Sequence, residues 1–324
     1  MTRGESKKLQ RPDSTRRLGA LVVLFTMLTP LASCASTIVN YSEAHVEMPG
    51  FEPPRFATRS SAAPLRVALV LSGGAMRAFA HLGVLRVLER EGLYPDLVVG
   101  SSAGAMVGAY FASGMPVAEI ELQAARIDLL TLIDIDPVRI LLGGFGLGIA
   151  KGERLEAFLR ESLNVPLQTM KMPFVAVATD LNTGEPVLLN HGDTPHAIRA
   201  SSAVPGLYEP VRADGRVLGD GQISSPLPVG AARALGASVV VAVDVVYPPH
   251  NASLNTPLSV LFQTVTISTH RHLLRERELA DVLVRPVIPP TSDLRLSDRA
   301  WLIAAGENAA TAMLPTLRAA FAKQ

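Results

Sequence analysis

The sequence predicts an α/β protein in which helices cover both faces of a mainly parallel central sheet, giving three layers. The 324 residues are 48% hydrophobic, so the chain can fill a substantial core. An apolar run from Leu65 to Leu71 leads into a glycine loop and then a helical pattern, and a second such unit begins at Leu97. Successive strand–loop–helix units are typical of parallel sheets covered by helices.

Each element follows from its local pattern. In the first unit, leucines recur at helical spacing at positions 82, 85 and 88. In the second unit, the strand 97–99 runs into the turn Gly100–Gly104 and then into a helix of small residues. Further along, the patterns predict a strand pair at 174–178 and 186–189, a buried strand at 238–246, a helix over 257–283, and two closing helices after the prolines of 286–290.

The N-terminal segment has the features of an export signal. Six basic residues precede an apolar run over 18–31 that is short for a membrane span, and Leu31-Ala32-Ser33-Cys34 follows. This tetrapeptide resembles a bacterial lipobox, and Cys34 is the single cysteine of the chain. We therefore expect a lipoprotein signal peptide at residues 1–33 and a lipidated Cys34 that anchors the mature protein in a membrane.

The remaining chain divides into three parts. Residues 34–64 contain several prolines and serines and predict a flexible tether behind the lipidated N-terminus. The main α/β domain is expected at 65–285, and a C-terminal helical extension at 286–324 is expected to pack on it. Ala35 follows the cysteine where many inner-membrane lipoproteins have aspartate, so we expect a cell-envelope protein, lipid-anchored in the outer membrane and facing the periplasm.

The charge pattern argues against a nucleic-acid partner. Charged residues make up 18% of the chain, the formal net charge is +1, and no basic run occurs outside the N-terminus. With one cysteine, the chain cannot form an intrachain disulfide.

The pentapeptide Gly100-Ser101-Ser102-Ala103-Gly104 fits the motif G-x-S-x-G between a strand and a helix, the context in which it forms a nucleophile elbow. Gly100 and Gly104 would let the helix pass close to the strand that it has just left. Ser102 would stand at a helix N-terminus, where free N–H groups and the helix dipole favour developing negative charge. A tight turn without chemistry is the competing interpretation.

The loop 72–77, Ser-Gly-Gly-Ala-Met-Arg, offers consecutive backbone N–H groups beside a cation. A phosphate-binding loop would need Gly-Lys-Ser/Thr, and a dinucleotide-binding loop would need glycines where Ala75 and Ala78 stand. Because a serine turn follows the next strand, we interpret the loop as an oxyanion hole.

A serine nucleophile needs a base to take its proton. The formal histidine candidates are His250, His270 and His272, but none of them lies in a glycine-bounded loop after a strand. Only one strand precedes the serine strand, whereas the α/β-hydrolase sheet has several, so the conventional triad is weakly supported. His81, near the start of the first helix, is interpreted as a packing or loop-bracing residue.

Asp220 is the alternative base. It lies between Gly219 and Gly221 after the apolar Val217-Leu218, so its side chain should project from a tight loop at a strand end. A simple Asp-Gly turn remains the other interpretation. The competing carboxylates are Asp180 and Asp214, both interpreted as turn residues, and Asp244, interpreted as a strand-end residue with a structural hydrogen bond.

Taken together, these segments resemble the patatin-like phospholipases over roughly residues 65–285. The matching segments occur in the family's order along the chain: Leu71-Ser72-Gly73-Gly74, Arg77, 80–85, Gly100–Ala105, 178–181, 200–206 and Asp220-Gly221. A match of many separated segments in one order is more specific than any single motif.

The resemblance implies a patatin-like α/β/α fold and a Ser-Asp dyad that works without histidine, metal or organic cofactor. Ser102 would attack the ester carbonyl and Asp220 would accept its proton. Backbone N–H groups around Gly73, Gly74 and Ala75 would stabilise the oxyanion, and Arg77 would add positive potential. The implied activity is that of a phospholipase A or lysophospholipase acting on the acyl esters of membrane lipids.

Three positions depart from the family's pattern. Ala75 and Ala78 stand where glycines are usual, and Gln222 replaces the glycine or alanine after Asp-Gly. If position 75 needs a positive φ, alanine there is strained by about 1–2 kcal/mol. The alternatives are therefore an esterase or thioesterase of soluble substrates, and a catalytically impaired lipid-binding lipoprotein.

The stretch Gly143–Gly148 is either an apolar rim for acyl chains or a flexible connection.

Overall fold

The computed structural model describes Met1 and residues 67–128, 132, 134, 148–250, 253–289 and 294–322. The predicted signal peptide beyond Met1, the tether with Cys34, and positions 143–147 lie outside these residues, so their assignments stay predictions. No helix within the described ranges combines the length and the apolar character needed to cross a membrane.

The strands that the structure describes account for most of the predicted β segments. In chain order they are β1 (Val67–Leu71), β2 (Leu97–Ser101), β3 (Gly148–Ala150), β4 (Phe174–Asp180), β5 (Pro186–Leu189), β6 (Gly206–Tyr208), β7 (Val211–Ala213), β8 (Arg216–Asp220), β9 (Val239–Val243) and β10 (Val282–Val284). Among the described residues, eight strands form the central sheet in the order β10-β9-β1-β2-β4-β8-β7, with β5 also paired to β4. β3 and β6 pair separately in parallel.

The helices surround this sheet. They are α1 (Phe79–Arg90), α2 (Ala103–Ala112), α3 (Val117–Arg126), α4 (Glu153–Ser162), α5 (Thr194–Ser201), α6 (Val229–Ala234), α7 (Pro257–Glu278), α8 (Arg299–Ala312) and α9 (Leu314–Ala322). A short 3-10 turn at 75–78 precedes α1 directly.

Two apolar cores lie on opposite faces of the sheet. Along β1, which is buried throughout, Val67, Leu69 and Leu71 join the core formed with α1, α2 and α8. Ala68 and Val70 join the core formed with α6 and α7. Since successive side chains of a strand point to opposite faces, a strand buried at every position requires a layer on each side. The predicted three-layer fold is confirmed.

The register of the parallel strands brings their carboxyl ends to one edge. Leu71, the last residue of β1, pairs with Gly100 in β2 and with Val243 in β9. Gly100 in turn pairs with Ala176 of β4. The loops that follow β1 and β2 therefore leave the sheet side by side. In contrast, β5 and β8 run antiparallel to β4, so the sheet is mixed at that end.

The helix predicted over 257–283 is too long. α7 ends at Glu278, and Val282–Val284 instead forms β10, which pairs in parallel with β9 through Val282 and Val241. Val282 and Val284 are buried against the sheet. A three-residue apolar run is too short to signal a strand by itself, and here the pairing with a neighbouring strand decides its conformation.

α1 and α8 cross at a contact between glycines. A methyl group on Gly83 would lie 1.9 Å from the carbonyl oxygen of Ile303, and one on Gly306 would lie 1.9 Å from that of Ala80. Because the obstacles are backbone atoms, any larger residue would push the two helices apart. Arg90 of α1 also forms a 2.9 Å ion pair with Glu307 of α8. The helix that starts behind the glycine loop is thus held by a helix from the C-terminal part of the chain.

Candidate active site

The turn between β2 and α2 is strained at Ser102. This residue has φ 53° and ψ −127°, a conformation that non-glycine residues rarely adopt. The glycines on either side are required by close backbone approach: a methyl group on Gly100 would lie 2.5 Å from the Cα of Ala105, and one on Gly104 would lie 2.3 Å from the carbonyl oxygen of Ser72. The geometry is that of the predicted nucleophile elbow.

Ser102 and Asp220 lie in contact although 118 positions separate them in the sequence. The Ser102 Oγ donates a hydrogen bond of 2.7 Å to Asp220 Oδ2. Asp220 is the last residue of β8, which pairs antiparallel with β4, and β4 in turn pairs with β2. Gly221 is needed next to it, because a methyl group there would lie 1.9 Å from the carbonyl oxygen of Val177.

The environment of Asp220 makes it a stronger base than an exposed aspartate. Its side chain is 3% exposed. Burial raises the pKa of Asp220 to about 6, against the opposing effect of two hydrogen bonds that it accepts, from the Gln222 N–H and from Ser102. The carboxylate is therefore ionised at neutral pH and close to the pKa that suits a general base.

Ser201, at the end of α5, braces Ser102 and the residue after Asp220, a role that was not predicted from the sequence. Its hydroxyl accepts a 2.9 Å hydrogen bond from the Ser102 N–H and donates to the carbonyl oxygen of Val177. Its carbonyl oxygen accepts from the Gly221 N–H at 3.0 Å. The available signal was the Ala200-Ser201-Ser202-Ala203 segment, which entered only as part of the family resemblance.

The glycine loop after β1 runs directly beside the elbow, as the close approach of Gly104 to Ser72 shows. Ser72 anchors it: the Ser72 N–H donates to the Val243 carbonyl at 3.1 Å, and the Ser72 Oγ accepts from the Val245 N–H at 2.9 Å. Among the described residues, the N–H groups of Gly74 and Ala75 have no hydrogen-bond partner. These two donors are available to an oxyanion.

The prediction that Gly73 supplies an oxyanion donor is corrected by the structure. Its N–H donates a 3.0 Å hydrogen bond to the carbonyl oxygen of Pro226. A donor that is already bound inside the protein cannot also serve an oxyanion without breaking that bond.

Ala75 has φ 47°, so the condition under which alanine was expected to be strained is met. Holding a non-glycine residue in this region costs about 1–2 kcal/mol. The hydrogen bonds that hold Ser72 and Gly73 in place must offset that cost.

The side chain of Arg77 is held by two segments outside the glycine loop. Its Nη2 donates to the carbonyl oxygen of Pro289, and the guanidinium lies 4.8 Å from the centre of the Tyr247 ring. Burial lowers the pKa of Arg77 below its usual value. The side chain thus connects the loop to the segments after β9 and β10, because these supply its carbonyl and aromatic partners.

None of the histidines in the described ranges forms a triad with Ser102. The hydrogen bond described for the Ser102 hydroxyl goes to Asp220. His81 is fully buried, and its Nε2 donates a 2.9 Å hydrogen bond to the Ser72 carbonyl, which braces the start of the loop. Burial lowers the pKa of His81 to about 4, so its ring is neutral at pH 7.

The competing carboxylates have other partners. Asp244 pairs with Arg277 at 2.7 Å and accepts from the Val246 N–H. Asp180 is the last residue of β4 and begins the turn to β5, because its Oδ1 accepts from the Asn182 N–H and its carbonyl oxygen accepts from the Gly184 N–H. Asp214 lies in the turn between β7 and β8 with φ 50°.

Comparison with known proteins agrees with this site. The family model for patatin-like phospholipase matches residues 69–233. An uncharacterized NTE family protein of Mycobacterium tuberculosis is 35% identical over 59% of this chain and 52% of its own length. The rat patatin-like phospholipase domain-containing protein 7 is 29% identical over 55% of this chain and 13% of its own.

The chain spans about half the length of the mycobacterial relatives that it matches, and a smaller part of the rat protein. Among solved structures, VipD from Legionella pneumophila aligns with a TM-score of 0.48 and 18% identity, covering 78% of this chain and 67% of VipD. The family match covers just over half of the 324 residues and includes both the elbow and Asp220. The chain belongs to the patatin-like phospholipase family.

Proposed function

We propose that this protein is a lipid acyl hydrolase that cleaves carboxylic esters with a Ser102–Asp220 dyad. The observation that carries the proposal is the 2.7 Å hydrogen bond from the Ser102 Oγ to Asp220 Oδ2 at a strained elbow, beside a loop with two available N–H groups. Nucleophile, base and oxyanion donors are the three parts that acyl transfer needs.

In the proposed first step, the Ser102 Oγ attacks the ester carbonyl carbon while Asp220 accepts the hydroxyl proton. The N–H groups of Gly74 and Ala75 bind the resulting oxyanion, and the loss of one such donor typically costs about 3 kcal/mol. Collapse of the intermediate breaks the bond to the leaving alcohol, which takes the proton from Asp220. Water then attacks the acyl-enzyme and gives a proton to Asp220. The bond between the acyl carbon and the Ser102 Oγ breaks, the Oγ takes the proton back from Asp220, and the fatty acid leaves.

The mechanism predicts a pH dependence governed by Asp220. Its protonated form cannot accept the serine proton, and burial raises its pKa to about 6. We expect kcat/KM to fall about tenfold for each pH unit below about 6 and to level off above it. A profile that stays flat down to pH 4 would exclude Asp220 as the base.

A fluorophosphonate probe tests the dyad directly. We expect the wild-type protein to be labelled and Ser102→Ala to remain unlabelled, with labelling of Asp220→Asn strongly slowed. Single replacements of His250, His270 and His272 should leave labelling and turnover intact, because no histidine takes part. Equal labelling of wild type and Ser102→Ala, or of neither, would contradict the proposal; labelling of neither would favour an impaired lipid-binding protein.

For the substrate, we propose the acyl esters of membrane phospholipids or lysophospholipids. The family description and the printed name of the rat relative support a lipid substrate. We expect the purified protein to release fatty acid from phospholipid or lysophospholipid vesicles. Turnover of short-chain soluble esters alone would favour the esterase alternative.

We further propose that lipidated Cys34 anchors the protein in the outer membrane, facing the periplasm. The lipobox-like sequence and the single cysteine support this assignment. Cys34→Ser should move the protein from the membrane fraction to the soluble fraction, and intact-mass analysis should find acyl chains only on the wild type. An unmodified Cys34 in the membrane-bound protein would refute it.

A further inference from the structure

The side chain of Gln222 lies against the glycine loop after β1. A methyl group on Gly73 would lie 2.3 Å from the Gln222 Oε1 and 3.3 Å from its Cβ. The side chain therefore packs along its length over the Cα of Gly73. The side chain thus fills the space in front of this part of the loop.

The backbone of the same residue holds the base. The Gln222 N–H donates a 2.7 Å hydrogen bond to Asp220 Oδ1, the oxygen that does not accept from Ser102. Gln222 thus reaches from Asp220 to the glycine loop, and in the proposed mechanism both of these border the reacting ester.

The carboxamide of Gln222 has hydrogen-bonding capacity that the protein does not use. The residue is half-buried, and among the described residues its side-chain amide has no hydrogen-bond partner. A carboxamide offers two N–H donors and an acceptor oxygen. Side-chain polar groups next to a catalytic centre that lack protein partners are available to bind substrate.

The position of Gln222 indicates which part of the substrate it meets. Asp220 returns its proton to the leaving alcohol, so the alcohol oxygen must lie beside Asp220 when the ester bond breaks. Gln222 is joined to Asp220 through its own N–H and runs from there to the loop. Its carboxamide lies one glutamine side chain away from Asp220, so a polar group on the leaving alcohol is within its reach.

We infer that Gln222 is a specificity-determining residue that hydrogen-bonds a polar group on the leaving alcohol, close to the scissile ester. This inference rests on the proposed function and deepens it. A glycerol hydroxyl and a phosphodiester oxygen share the chemistry required, and both occur in membrane lipids. A site built to bond a hydroxyl discriminates strongly against the analogue that lacks it, because its own polar group is then left unpaired.

The experiment compares soluble octanoate esters that differ only in the alcohol. Ethyl octanoate has no polar group beside the ester, 2-hydroxyethyl octanoate adds a hydroxyl, and the methyl phosphodiester of 2-hydroxyethyl octanoate replaces that hydroxyl with a phosphodiester. We expect the wild-type kcat/KM to be at least about tenfold higher for one polar ester than for ethyl octanoate. The preferred polar ester identifies the source of the group.

Gln222→Leu keeps the volume over Gly73 and removes the hydrogen bonds. We expect this variant to lose the preference, because its kcat/KM for the polar ester should fall about tenfold further than its kcat/KM for ethyl octanoate. Gln222→Gly, which removes the side chain altogether, should lose the preference as well. Gln123→Leu on the surface of α3 makes the same replacement away from the site and should keep the wild-type ratio.

Two results would overturn the inference alone. One is the same substrate ratio in wild type and Gln222→Leu. The other is an equal loss on polar and nonpolar esters, which would make Gln222 only a support for the loop. Failure of the wild-type protein both to hydrolyse any ester and to react with the fluorophosphonate would instead refute the proposed function, and the inference with it.

Discussion

The elbow after β2 and the glycine loop after β1 are both tight turns beside the reacting atoms, but they are crowded by different kinds of neighbour. In the elbow, methyl groups on Gly100 and Gly104 would meet backbone atoms at 2.5 and 2.3 Å. In the glycine loop, methyl groups on Gly73 and Gly74 would first meet side chains, those of Gln222 and Val245.

This difference determines how freely each turn can change. A backbone obstacle moves only if the strand or helix that carries it moves, whereas a side chain can rotate or be replaced. The chain agrees with this: its elbow has both glycines of the motif, while its loop has a non-glycine residue, Ala75, at a positive φ. Variation that tunes substrate preference is therefore expected around the loop.

Gly104→Ala should have the largest effect on stability. The added methyl group would overlap the carbonyl oxygens of Ser72 and Leu71, so α2 and β1 must separate. We expect the free energy of unfolding to fall by more than about 3 kcal/mol, with loss of activity, measured by denaturant unfolding.

Gly108→Ala on the same helix is the matched control for that variant. Its methyl group would meet only side-chain atoms at 3.1 Å or more, and alanine favours the helix. If both variants unfolded at the same denaturant concentration, the distinction between backbone and side-chain obstacles would be wrong.

Asp220→Asn should stabilise the protein above pH 6 while abolishing turnover. Because burial raises the folded-state pKa of Asp220 to about 6, above its unfolded value of about 3.9, folding favours its protonated form. The associated stability is fully present below about pH 4 and is lost as the pH rises through 6, by up to about 3 kcal/mol. Unfolding curves of both proteins at pH 4 and pH 8 measure the difference, and an equal gap at both pH values would contradict it.

His81, which braces the glycine loop, has a pKa shift opposite to that of Asp220. Burial lowers its pKa to about 4, so the stability linked to its neutral form is lost as the pH falls from about 6.5 through 4. The two buried groups therefore act on stability in opposite directions with pH.

Gly74→Ala should cost about 1–2 kcal/mol, because the new methyl group would lie 2.8 Å from the Cγ2 of Val245. The double variant with Val245→Ala should be less destabilised than the sum of the two single variants by about 1 kcal/mol. This thermodynamic cycle tests the difference between the two turns. The obstacles to Gly104→Ala are backbone atoms, so no side-chain replacement can relieve that variant. Strict additivity would show that Val245 is not the obstacle.

Ala75→Gly should have the smallest effect, a gain of up to about 1 kcal/mol in the free energy of unfolding. Glycine relieves the strain at φ 47°, and its greater freedom in the unfolded chain offsets part of that gain. Thermal unfolding detects a change of this size, and a clear loss of stability would mean that Ala75 is not strained.

The parts of the site that short segments determine could be predicted from the sequence. The elbow, the two reacting residues and the alternation of strands and helices all have signals within a few residues of one another. Their meeting in space followed from the family resemblance, and the structure then brought Ser102 and Asp220 to 2.7 Å.

The remaining features depend on partners that are distant in the chain. The Gly73 N–H is taken by Pro226, more than 150 positions away, and Arg77 bonds Pro289, 212 positions away. Ser201 braces Ser102 from 99 positions away. No local sequence pattern predicts these contacts. The strand conformation of β10 likewise depends on its pairing with β9.

The glycine contact between α1 and α8 has a practical consequence for recombinant work. A fragment cut at the borders of the family match, 69–233, would lack α8 and also β9, the strand beside β1. Both the apolar flank of α1 and one edge of β1 would then face solvent, and such a fragment should aggregate. Expression plasmids for this protein therefore need to extend through residue 322 or beyond.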